Sequence, residues 1–414
     1  MPQVIALADS RERLAFFRRM RTGLAELGAS LHVVTPYPSL VRAGRRAGLT
    51  VTRIPAGSPD VACEGTDTSA DRRTQRLRTG TQRVLERLTN NAPLNLLLIW
   101  DGSQPAGSAA GEVATRDNVP VLYLQPPQLP GHLMVDPEGT DTTSSVARNP
   151  DLLDRFPVAE RDFLRWHGLY RTRRRESASV PASVVEPTRT PGAWLDRLMS
   201  LTGQAPIARP PTVRGQRRRH KAIQAVLAQL HDPLPGDYAL YVMQPDDDPA
   251  LRNGQTPGPT QGLDRALRIA REQGLPLVVR FDHRQRDPRR LAGLVARLRS
   301  SRDVYLTSQQ CYPLVEYARL VITVNDAEAV LDARVLERPL IALGPSLIAE
   351  LPERRLAQLI LGYSVPVDYY SHQSIASEAI VSMLRRLPPA QFARFAEATT
   401  TPADVALTSS TANA

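Results

Sequence analysis

The residues of this chain best suited to chemistry fall where short apolar runs end. Gln244-Pro245-Asp246-Asp247-Asp248 closes the run Tyr238–Met243, Arg280 with Asp282 and His283 closes Pro276–Phe281, and Asn325-Asp326 closes Leu320–Val324. Nearer the N-terminus, Trp100-Asp101-Gly102 ends Asn95–Trp100, and Gln125-Pro126-Pro127 follows Val119–Leu124. An aspartate in such a place can serve as nucleophile or proton carrier. A glutamine cannot, because an amide neither gains nor loses a proton near neutral pH. Plainer roles compete with each of these. Asp246–Asp248 reads equally as a solvated acidic turn, Asp326 as a helix N-cap, and His283 as a hydrogen-bonded rim residue. Trp100 is expected in the core, and Asp136-Pro137-Glu138-Gly139 is a good turn in any protein.

Several chemistries are excluded by what the sequence lacks. No G-x-G-x-x-G follows the first strand and no G-x-x-x-x-G-K-[ST] occurs, so neither a dinucleotide cofactor nor P-loop phosphate chemistry is expected. No G-x-S-x-G marks a hydrolase elbow. The histidines lack metal-ligand spacing, and a metal-binding D-x-D reading of Asp246–Asp248 ranks low. Neither a metal nor another cofactor is therefore expected.

The elements that must carry these residues alternate. Val4–Ala8, Leu31–Thr35, Leu49–Ile54, Asn95–Trp100 and Val119–Leu124 read as strands, with helical patterns such as Arg11–Leu27 and Arg76–Leu88 between them. After a proline-rich stretch the alternation resumes with Tyr238–Met243, Pro276–Phe281, Val304–Thr307, Leu320–Val324 and Leu340–Leu343. Helical patterns at Gly262–Gln273, Arg290–Leu298, Tyr312–Tyr317 and Ala327–Leu336 separate them. Strands spaced by helices imply βαβ units and parallel sheets, which bind ligands beyond the carboxyl ends of their strands. The expected fold is α/β with two Rossmann-like domains facing a cleft. The first spans residues 1–149 and the second 236–398. An Arg/Pro-rich, partly helical connection (150–235, with short helices at Val158–Leu169 and Gly192–Leu201) joins them, and residues 399–414 form a disordered tail.

Composition narrows the class further. The 414 residues carry 52 Lys+Arg against 42 Asp+Glu, with 36 prolines and two cysteines. Two isolated cysteines form no disulfide framework, and no apolar run approaches the ~18 residues of a bilayer helix. A cytoplasmic protein is expected, docked at most peripherally on an inner membrane. The basic excess fits nucleic acid, an anionic surface or a phosphate-bearing substrate. Only 5% of residues are aromatic, and none interleaves with Arg217-Arg218-Arg219-His220-Lys221 to stack bases. That run is read as a solvated linker, and a nucleic-acid partner is not expected.

The ordered motifs resemble those of the bacterial capsule polysaccharide biosynthesis/export proteins, the group that includes β-Kdo transferases. The likeness begins at Ser10-Arg11 with Phe16-Phe17. It is densest from Leu97 to Ser145, through Trp100-Asp101-Gly102, Gln125, Pro130-Gly131, Asp136-Pro137-Glu138-Gly139 and Ser144-Ser145. It resumes at Gln244 with Asp248, at Arg280–His283 and at Val321–Gly344. The resemblance implies a GT-B-like architecture and transfer of Kdo from CMP-Kdo to a glycolipid acceptor, with capsule assembly partners at the inner membrane.

By the same resemblance Asp248, with Asp247 as fallback, is the nucleophile. Arg280, His283, Asn325 and Asp326 fall on the nucleotide side, and Gln244 lines the substrate site. Asp101 and Gln125 fall on the side of the acceptor or the transferred sugar. Three departures stand out. Gln125 replaces a glutamate, Arg280-Phe281-Asp282-His283 replaces a Lys-x-His-Pro pattern, and Asp326 replaces a serine. They leave open an altered donor and acceptor, or a catalytically impaired relative acting as an accessory or scaffold protein in capsule assembly. The arginine runs leave an Arg-rich binder of anionic surfaces or nucleic acid as the competing class.

Overall fold

The computed structural model describes residues 2–55, 69–91, 94–125, 131–179, 213–245, 248, 251, 256–285 and 287–399. The expected Gly192–Leu201 helix, the tail beyond 399, and Asp246 and Asp247 lie outside them. The described chain divides into two compact units, residues 2–152 with 362–399, and 153–179 with 213–361.

The first unit holds β1 (Gln3–Leu7), β2 (Ser30–Thr35), β3 (Thr50–Arg53), β4 (Leu94–Trp100), β5 (Val121–Gln125) and β6 (Met134–Asp136). Their order is β3-β2-β1-β4-β5-β6. The first five are parallel and β6 runs antiparallel to β5. Strands buried on both faces read as continuous apolar runs, which is why the sequence locates them. Val4, Ala6, Leu98 and Trp100 face one core with Leu14, Phe17 and Met20 of the Arg11–Glu26 helix. Ile5, Leu97 and Ile99 face the other, against Leu85, Ala110 and Val113. Ser10 caps the Arg11–Glu26 helix by accepting from the Arg13 amide at 3.2 Å. Trp100 is core, as expected: its ring packs edge-on to Phe16 at 5.2 Å and to Tyr369 at 5.0 Å.

Residues 362–399 belong to this unit rather than to the second, where the strand-helix rhythm of the sequence leaves them. Val365, Tyr369, Ile380 and Phe395 enter the first core, and Leu133 pairs with Val365. The contact is close. A Cβ on Gly23 would stand 2.6 Å from the Ile375 carbonyl oxygen, so only glycine admits this segment against the helix.

The second unit holds β7 (Ala239–Met243), β8 (Leu277–Phe281), β9 (Val304–Thr307), β10 (Leu320–Thr323) and β11 (Leu340–Ala342), all parallel in the order β11-β10-β7-β8-β9. Two helices stand in the Arg/Pro-rich connection: Glu160–Ser179 covers most of the expected Val158–Leu169 helix and runs past it, and Val213–Leu227 is additional to the expected helices. Val213–Leu227 is helical and buries Ile223 and Leu227. Arg218, Arg219 and Lys221 are exposed on it, so the basic run is a helix face and not a linker. Glu160–Ser179 is pinned through buried Asp332, which accepts from the Tyr170 hydroxyl at 2.7 Å and from Arg174 at 2.6 and 3.0 Å. Each unit is thus a Rossmann-like α/β domain. Among the described residues, no helix is long and apolar enough to cross a membrane.

Candidate functional site

In both sheets the chain starts in the middle, builds outward on one side, and then crosses to the other. The switch falls between β1 and β4 in the first unit and between β7 and β10 in the second. At such a point the two following loops part and leave a crevice.

In the second unit Gln244 and Asn325 leave β7 and β10 at the switch. Gln244 Oε1 accepts from the Asn325 amide and Gln244 Nε2 donates to Asn325 Oδ1, both at 3.1 Å. The pair is buried, so its two-way bonding fixes the spacing of the strand ends. Gln244 Nε2 also approaches Asp248 Oδ2 at 3.4 Å, and Gln285 reaches the Gln244 carbonyl at the same distance. Asp248 is half-buried. This brings Gln244, Asp248, Asn325 and Asp326 together.

One strand over, Asp282 is the hub. Its carboxylate receives Arg280 at 3.2 Å and Arg284 at 2.8 and 3.1 Å, with the Arg284 amide at 2.7 Å. Burial alone would push this carboxyl up, but Arg284 and Arg280 hold it well below the usual range. Two guanidiniums against one carboxylate leave these three side chains net positive, with Asp326, Glu328 and Asp248 also acting on the guanidiniums. His283 stands apart from this arrangement, largely exposed, with Nδ1 3.5 Å from Asp282 Oδ1. Sequence reasoning passes over Arg284, although it adjoins the segment singled out.

Asp326 caps the Ala327–Val335 helix, accepting from the Ala329 amide at 2.9 Å. Burial pushes its carboxyl up to about 6 despite that bond, and Glu328 adds to the rise. The folded form therefore holds the proton more tightly than the unfolded chain. Stability falls as pH rises from about 4 through 6, and the loss is complete above that. Asp326→Asn, which keeps a capping oxygen, is expected to raise the melting temperature at pH 7.5 and to leave it nearly unchanged at pH 4. Scanning calorimetry at the two pH values checks this.

In the first unit Asp101 occupies the β4 end with φ +59, in the left-handed region. Ser103 donates to its Oδ2 at 2.6 Å and Thr140 to its Oδ1 at 3.2 Å. Gln125 is the last residue of β5, half-buried and paired with Met134 across the antiparallel step. The Asp136 turn is a latch. Asp136 accepts from the amides of Glu138, Gly139 and Ser145, from the Ser145 hydroxyl at 2.7 Å and from the Tyr363 hydroxyl at 2.9 Å. Asp9, two residues beyond β1, shares the switch point with Asp101. The rule that picks out the other strand ends applies to it, but sequence reasoning passes over it.

Among the described residues, no three His, Cys, Asp or Glu side chains gather as they would around a metal ion. No protein-family model matches the sequence, and no curated protein matches it. The chain is similar to solved structures of low identity. KpsC of Thermosulfurimonas dismutans, a beta Kdo 2,4 transferase, is 14% identical over 93% of this chain and 98% of that one, with a TM-score of 0.39. A UDP-GlcNAc 2-epimerase from Neisseria meningitidis is 14% identical over 93% and 100%, at 0.26. The spinosyn rhamnosyltransferase SpnG is 15% identical over 96% and 95%, at 0.27. Values this low assign no role to any residue here.

Proposed function

We propose that this chain is a glycosyltransferase that takes a sugar from a nucleotide-activated donor of the CMP-Kdo kind and passes it to a glycolipid acceptor in surface-polysaccharide assembly. The observation that carries the reading is the buried Gln244–Asn325 pair at the β7–β10 switch, with the net-positive Arg280–Asp282–Arg284 group one strand away. A Rossmann-like sheet offers its crevice to a nucleotide at that place, and guanidiniums there suit a phosphate.

Chemistry follows from the carboxylate beside the pair. Asp248 attacks the anomeric carbon, and the nucleotide phosphate departs with the electrons of the bond it breaks. The acceptor hydroxyl then displaces Asp248 from the glycosyl ester and gives up its proton. Two displacements retain the anomeric configuration. Asn325 and Arg280 hold the nucleotide, with Asp326 and His283 at its margin. Asp101 and Gln125 of the first unit are assigned to the acceptor. Because the Gln125 amide does not ionise near neutral pH, it binds and does not act as acid or base.

Calorimetric titration with CMP, UDP, GDP and dTDP tests the nucleotide side. One nucleotide is expected to bind, and Arg280→Ala to weaken it by roughly 10- to 100-fold, the worth of a charge-assisted hydrogen bond. Failure of every nucleotide to bind at millimolar concentration, or an unchanged affinity in Arg280→Ala, would sink the assignment.

A further inference from the structure

We infer that the Glu160–Ser179 helix docks this protein on an anionic lipid bilayer, through a stripe of two leucines set among arginines. This surface belongs to the second unit, and its role goes beyond glycosyl transfer and does not rest on it.

The helix has two sides with different tasks. Phe163, Trp166, Tyr170 and Arg174 follow one another at three or four residues and so share one side. Trp166 stacks with Phe163 at 5.7 Å and packs against Tyr170 at 5.4 Å. Tyr170 and Arg174 tie that side to buried Asp332. Arg161, Leu164, Arg165, Gly168, Leu169 and Thr172 follow the same spacing on the other side, and all six are exposed.

A solvated helix face is ordinarily polar. This one carries Leu164, 62% exposed, and Leu169, 48% exposed. Among the described residues these are the only large aliphatic side chains that stand so far into solvent. A single exposed leucine needs no explanation, but one stripe holds both. No carboxylate falls on that stripe, and the nearest, Asp162, lies beside it at 3.8 Å from Arg161.

This composition selects the partner. The leucines suit an apolar medium and Arg161 and Arg165 suit anions, and a bilayer with anionic headgroups offers both at adjacent depths. The arginine stems lie along the acyl boundary while their guanidiniums reach the phosphates. A second copy of the chain would bring two cationic stripes together on a twofold axis. A nucleic acid supplies anions, but the stripe has no aromatic ring on which a base could stack. The stripe is about 17 Å long, and two leucines insert shallowly, so the contact is reversible and weakened by salt.

The test sediments the full-length protein with vesicles of phosphatidylcholine alone and with vesicles of equal parts phosphatidylcholine and phosphatidylglycerol. Binding to the anionic vesicles only is expected, and its loss at high salt. Any cationic face of a basic protein can meet such vesicles, so the leucine pair carries the test. Leu164→Ser with Leu169→Ser is expected to weaken binding by roughly 10- to 100-fold, and Arg161→Gln with Arg165→Gln by roughly 30-fold. All four side chains are exposed, so the melting temperature should not change in either variant. Equal binding to both vesicles, binding to neither, or undiminished binding by the leucine variant would overturn the inference. So would a wild-type dimer in light scattering that the leucine variant converts to monomer, or retention of single-stranded DNA in place of vesicles. Nucleotide titration runs in parallel. Vesicle binding without nucleotide binding would leave this inference standing and sink the function, and the reverse result would do the opposite.

Discussion

Asp248→Asn is expected to abolish sugar transfer, by on the order of 10⁴–10⁶-fold, while the protein binds its nucleotide as before. Asparagine has nearly the same shape as aspartate, and its amide oxygen can still accept from Gln244 Nε2, 3.4 Å away in the native chain. What it loses is the negative charge and the lone pair that form the glycosyl ester. Asp248 is half-buried beside the Gln244–Asn325 pair and its charge acts on the Arg284 guanidinium, so neutralising it takes no cation from the anion's neighbours and anion binding survives the change. Initial rates and calorimetric titration on the same preparation separate the two effects. A rate within tenfold of wild type would remove Asp248 from the chemistry and transfer the proposal to Asp247.

Asp136→Ala is expected to destabilise the first unit by about 3–5 kcal/mol, the cost of leaving buried donors without their charged acceptor. The carboxylate receives three amides and two hydroxyls, and water has little access to replace it, since Asp136 is 3% exposed. The change also cuts the tie to Tyr363, and with it one anchor of the 362–399 segment on this unit. Tyr363→Phe removes the bond to Asp136 and the longer one to the Ser145 hydroxyl and should cost about 1–2 kcal/mol. Urea denaturation of the two variants measures both. A loss below 1 kcal/mol in Asp136→Ala would show that the turn holds without its latch.

Asp136 also shows how far local sequence reaches. Asp-Pro-Glu-Gly reads as a turn because each residue type favours one, and a turn is what forms. Its partner Tyr363 lies 227 residues away, and no periodicity links the two. The same limit explains residues 362–399, whose place depends on Gly23 admitting Ile375 rather than on any pattern of their own. Strands such as Val321–Thr323 were legible because both faces are buried and every residue is apolar or β-branched. Met134–Asp136 was too short to register. The Val213–Leu227 helix was obscured by its basic face, which outweighs the buried Ile223 and Leu227.

At the site, the sequence indicated which strand ends carry polar residues. It did not indicate how they pair. That Gln244 and Asn325 bond both ways follows from β7 and β10 being neighbours in the sheet, a long-range fact. That Arg280 is shared with Asp282 depends on Arg284 joining from the turn beyond.

The most direct measurement follows nucleotide release by chromatography from CMP-Kdo and from UDP-, GDP- and dTDP-linked sugars, with and without a glycolipid acceptor. Acceptor-stimulated release from one donor class is expected, with the sugar recovered on the acceptor in its original anomeric configuration and the reaction lost in Asp248→Asn. No release from any donor by a folded, nucleotide-binding protein would contradict it.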